Sequence, residues 1–185
     1  MRVGVALVAI AALAAPSYAD APIQTRTRIE GKSVKLSRHV VAGYDRFKDQ
    51  GTVVSSMKRL AAGRMWLDFA VVFTFQGDSL VAPTEVFFRF VHRGEDWRFL
   101  RDSERSLIYL DGDARVELKI LGHRGDVLSG GLVNEIMIAV ADVETALRIL
   151  ETDPPARLGN VEFRLGSATG PSSEICTLIR HLQSR

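Results

Sequence analysis

The chain has 185 residues, 46% hydrophobic and 25% charged, which is the balance of one ordinary folded domain and argues against a disordered chain. Its 24 basic and 22 acidic residues leave a net charge of +2, too even for a nucleic-acid binder, which carries a basic excess on one face. A single cysteine, Cys176, excludes an internal disulfide, so a domain of this length must hold itself together through its apolar core.

At the N-terminus Arg2 precedes an apolar run over residues 3–15, Pro16 breaks it, and Ser17-Tyr18-Ala19 sets small residues before a cut between Ala19 and Asp20. This is the pattern of a cleavable secretory signal over 1–19. Thirteen apolar residues span about 20 Å as a helix, short of the roughly 30 Å hydrocarbon core of a bilayer. The expectation is export to a periplasm or the cell exterior, with no membrane span in the mature chain. Residues 20–45 then read as an extended entry segment, and 46–185 as a single domain.

Strand signals follow. A short strand is expected around 52–56. Over 66–75, Leu67, Phe69, Val71, Phe73 and Phe75 share one face, a period of two with aromatic and β-branched residues. Residues 85–92 repeat the pattern with Val86, Phe88 and Phe90, and 97–100 is expected to start another strand. Residues 106–110 run into Asp111-Gly112-Asp113, a hairpin signal. Beyond it Val116, Leu118 and Ile120 face inward against Arg115, Glu117 and Lys119. A Gly-rich loop over 122–131 and a strand over 132–140 come next.

Two helices are expected. Asp142 has the character of an N-cap, with Val143, Ala146, Leu147 and Leu150 at helical spacing before Pro154-Pro155. After a strand over 161–165, Gly170-Pro171-Ser172 opens the last helix, striped by Ile175, Leu178, Ile179 and Leu182. Short strands with a turn every 8–12 residues predict a mainly β fold. The expected architecture is an antiparallel β-sandwich of about seven to nine strands with two short helices near the C-terminus, a half-open antiparallel barrel being the alternative.

From Asp96-Trp97-Arg98-Phe99-Leu100 through Tyr109-Leu110-Asp111-Gly112, Gly122-His123-Arg124-Gly125-Asp126 and Glu135 to the terminal helix, the chain resembles uncharacterised exported bacterial proteins. The resemblance covers about half of the mature chain and implies a β-sandwich, with no established activity to transfer.

Chemistry-bearing residues are dispersed. His39, His92, His123 and His181 show no pairing typical of a metal site, so no metal and no cofactor are expected. Asp111, Asp113, His123 and Asp126 are the binding candidates, although turn chemistry accounts for both aspartates around Gly112. Arg124-Gly125-Asp126 has the composition of an adhesion tripeptide, and Asp68 among aromatics would act as an acid if buried. Trp66, Phe87 and Val91 on outward strand faces call for cover. With no catalytic set assembled, the leading expectation is an exported, non-catalytic binding or interaction module with a protein or envelope partner. A carrier of a hydrophobic ligand is the alternative, and an exported hydrolase on Asp68, His92, Asp111, His123 and Asp126 the third.

Overall fold

The computed structural model describes residues 28–30, 33–63, 65–99, 106–165 and 170–185. The segment 1–19 and the cut between Ala19 and Asp20 lie outside them. Eleven strands and two helices follow in chain order: β1 Val34–Lys35, β2 Val40–Asp45, β3 Gln50–Ser55, β4 Lys58–Ala62, β5 Met65–Gln76, β6 Glu85–Gly94, β7 Ser106–Asp111, β8 Ala114–Val127, β9 Val133–Asp142, α1 Val143–Thr152, β10 Pro155–Leu158, β11 Val161–Arg164 and α2 Pro171–Gln183. The architecture is mainly antiparallel β, as expected, with more strands than the seven to nine counted from turn spacing.

All strands join one open sheet in the order β1-β2-β3-β5-β6-β9-β8-β7-β10-β11, with β4 on β5. β5 is long enough to take two partners on one edge. β3 pairs along Val72–Gln76 and β4 along Met65–Phe69. Between them Ser55 turns its hydroxyl back to accept the Val71 N–H at 2.9 Å, replacing the carbonyl the ladder lacks there.

β8 bends the sheet into two leaves. Its first half pairs with β7 and its second with β9, and the register shifts between Ile120 and Gly122. Such a bulge sharpens twist and lets a strand change leaf. The extra residue, Leu121, is left half exposed. β11 swings round beside β4 without forming a ladder, so the curl stops one pairing short of a barrel.

Alternate side chains from both leaves fill the interior. Phe69 stacks on Phe88 and Phe90, and Phe90 reaches Phe163 of the other leaf, with ring centroids 5.3 to 5.9 Å apart. The helices pack their apolar stripes into the same core. Asp142 caps α1 through the Thr145 N–H at 2.9 Å, and Asp153 in a left-handed conformation ends it before Pro154-Pro155. α2 starts with Pro171 in its first turn, and its Glu174 accepts bonds from the Ser37 hydroxyl and the His39 N–H, tying the helix to the β1–β2 turn.

Three local expectations differ from the structure. Trp97, Arg98 and Phe99 form no strand, because two of their N–H groups turn to a side chain. The expected loop over 122–131 is strand as far as Val127, since β9 offers a full ladder partner. The hairpin at Asp111 is real but sits one residue later: Asp111 pairs with Ala114, and Gly112, at φ 61°, takes the first turn position. Glycine there is the mark of a type II′ turn.

Candidate functional site

Register alone brings together residues that are far apart in the chain. β6 and β9 place His92 directly opposite Glu135 on the interior face, and β8 brings His123 in opposite Met137, next along that face. All three lie at one end of the core, where the apolar rows of Phe88, Phe90, Met137 and Ala139 give out.

Glu135 is fully buried and works as a structural acceptor. Its carboxylate takes the Arg98 N–H at 2.8 Å and the Phe99 N–H at 3.1 Å. That pulls the loop after β6 across the end of the core and seats Phe99 edge-on against the His92 ring, centroids 5.9 Å apart. His92 is buried too, with Nδ1 3.1 Å from the Trp66 carbonyl and Nε2 3.3 Å from the Asp96 carbonyl. A neutral imidazole carries one N–H and donates to one of these acceptors only. Gly94 passes so close that a Cβ would stand 2.9 Å from the His92 ring, which explains glycine at that strand end. His123 Nε2 is 3.6 Å from Glu135 Oε1, beyond hydrogen-bonding distance, and is a buried polar atom without a hydrogen-bond partner.

Outside this buried set, a cleft of about 630 Å³ opens between the β4–β5 turn, the end of β6 and the β10–β11 turn. Its floor includes His92 and its rim Met65, Trp66, Arg93, Asp96 and Asn160. Ligand sites favour such strand-end mouths of barrel-like sheets. Trp66 is 47% exposed yet held fast: its indole N–H donates to Asp68 at 2.8 Å, and the Arg59 guanidinium lies over its ring at 3.2 Å while bonding Asp68 at 2.8 Å. Asp68 is therefore buried in a salt bridge with its hydrogen-bonding capacity engaged, and it orients the tryptophan.

The four binding candidates do not converge. Asp111 and Asp113 flank the β7–β8 turn, where Asp111 pairs with Arg148 of α1 at 3.0 Å. His123 and Asp126 lie toward the far end of β8, roughly 30–45 Å away along the extended strand. Of these two, His123 faces the core, whereas Asp126 lies on the outer face beside Arg124 at 3.2 Å, so the tripeptide is part of a strand. Val91 is buried and Phe87 partly so, which leaves Trp66 as the exposed aromatic of that group. Among the described residues no group of three or more metal-binding side chains exists. The Glu135 anchor was invisible in the chain order, because only pairing register sets it against residues 98 and 99.

A larger cleft, about 990 Å³, lies along β2 and β3 under Phe47. Much of its polar wall is already engaged: Arg28 pairs with Asp78 at 2.7 Å, Asp45 accepts the Phe47 N–H at 3.0 Å, and the Arg46 guanidinium lies over the Phe47 ring. The mouth cleft differs. The side chains of Arg93, Glu95, Asp96, Asn160 and Glu162 line it with no bond or ion pair among the described residues.

Compared with known proteins, the chain matches no family model, no curated protein sequence and no solved structure.

Proposed function

We propose that the chain is an exported, non-catalytic binding module of the cell envelope, and that its ligand seats in the mouth cleft. The observation that carries this reading is a division of labour at one end of the core. Buried Glu135 holds the 98–99 backbone and His92, at the cleft floor, faces two backbone carbonyls, while the rim side chains Arg93, Glu95, Asp96, Asn160 and Glu162 keep their hydrogen-bonding capacity among the described residues. Hydrolysis needs a positioned acid or base within reach of substrate, and Glu135 is sealed beneath Arg98 and Phe99. The same end supports surface binding over carriage of an apolar cargo, since Phe69, Phe88, Phe90 and Phe163 occupy the interior that a cargo would need. Export rests on the residue pattern over 1–19.

The test has two arms. Full-length protein expressed with an intact secretory pathway should be recovered outside the cytoplasm with Asp20 as its first residue; a product beginning at Met1 sinks the export half. Mature protein should then co-sediment with insoluble envelope material, and the Arg93→Ala/Asn160→Ala variant should lose most of that binding. Turnover of envelope material that disappears in Glu135→Gln would overturn the non-catalytic half.

A further inference from the structure

We infer that the mouth cleft takes an uncharged, polyhydroxylated ligand, an oligosaccharide chain. The inference rests on the binding reading above and adds the chemistry of the ligand.

Charge is the first argument. Among the described residues two cations, Arg93 and Arg98, face three anions, Glu95, Asp96 and Glu162, around one opening. An anionic ligand would meet the carboxylates and a cationic one the guanidinium groups, so neither sign is recognised. Donors and acceptors are nonetheless both abundant and free, with Asn160 supplying one of each. A hydroxyl donates and accepts at once, so a ligand bearing many hydroxyls satisfies such a mixed rim at every contact.

Trp66 narrows the ligand class further. An indole whose N–H is already bonded offers a ligand no donor, only ring surface. Asp68 and Arg59 lock that ring, so little side-chain freedom remains to be lost on binding. Arg59 covers one face of the ring, its guanidinium carbon 3.2 Å from the centroid, which leaves the other face of this half-exposed side chain for a ligand in the cleft that Trp66 lines. A fixed apolar plane beside dispersed polar groups complements a sugar ring, which has a C–H face and a hydroxyl edge. The cleft is open and of a size at which small-molecule ligands are held, within about 300–1,000 Å³. An extended chain can therefore pass across it instead of entering it end-first.

The experiment is amide and indole NMR of the mature protein with three soluble probes: an N-acetylglucosamine tetramer, a neutral β-linked glucose tetramer, and a neutral tetrapeptide of alanine and serine. Shifts at the Trp66 indole N–H, the Asn160 side-chain amide and the Gly94 and Glu95 amides with either oligosaccharide are the expected result. Trp66→Ala should weaken that binding about tenfold, the loss of roughly 1.4 kcal/mol of stacking. Trp66→Phe, which keeps a ring, should recover part of it and guards against a folding defect. Cleft shifts with the tetrapeptide alone overturn the oligosaccharide class and leave the binding reading standing. No cleft shift with any probe overturns the oligosaccharide class, and the binding reading is then decided separately by the co-sedimentation arm.

Discussion

At the scale of single residues, two positions behave as local chemistry dictates and one does not. Asp142 caps α1 and Cys176 is buried in α2, both foreseeable from neighbours within a helical turn. Burial pushes the Cys176 thiol up to about 12, helped by Glu151. The folded protein should therefore resist a disulfide exchange reagent at about pH 8, where only a thiolate reacts, and yield its thiol on unfolding. An unfolded thiol ionises near 9.0 while the folded one stays protonated, so stability falls as pH rises from there toward 12. The denaturation midpoint should drop over that range more for the wild type than for Cys176→Ala. Glu135 is the contrary case. Nothing near it in the chain marks it as an anchor, yet Glu135→Ala would strand the buried Phe99 N–H and the partly buried Arg98 N–H. The expected loss is about 2–4 kcal/mol by chemical denaturation, with faster hydrogen exchange at those two amides. Unchanged exchange there would deny the anchor.

Among the elements, those legible in the sequence have strong periods: β5, β6, β9 and both helices. The short strands β4 and β10 went unseen, because five and four residues carry too little alternation to read. Pairing partners supply what their own pattern lacks: β4 is held by the N-terminal half of β5, and β10 by β7 and β11. Strand β8 makes the opposite point. Glycines at 122 and 125 suggest a loop, but β9 extends the ladder past both. A cross-strand contact gives a direct test. Gly51 lies opposite Phe75, and a Cβ at 51 would sit 2.0 Å from the Phe75 ring. Gly51→Ala should destabilise the fold by about 1–3 kcal/mol. The Gly51→Ala/Phe75→Leu pair should cost less than the sum of the two single changes, since each relieves the other's crowding. Strict additivity in thermal melts would show that the ring does not rest on Gly51.

For the whole molecule, the seam between β4 and β11 is where the curl fails to close. An open seam leaves strand edges without ladder partners. Amides on the seam edges of β4 and β11 should exchange well ahead of those in the β6–β9 ladder, which joins ten residue pairs at the centre of the sheet. Equal protection in both places would mean that the barrel closes in solution. The mouth cleft lies at one end of this seam, between the β4–β5 and β10–β11 turns, so its width is tied to how far the leaves part.

Alternation of apolar and polar side chains was enough to establish a mainly antiparallel β fold with two amphipathic helices, because burial on one face leaves its period in the chain whatever the topology. Where the leaves divide, how the strands are ordered and which polar groups meet depend on register and on the bulge in β8. Those are contacts between residues tens of positions apart, and no local pattern encodes them. His92, His123 and Glu135 became one cluster for that reason alone.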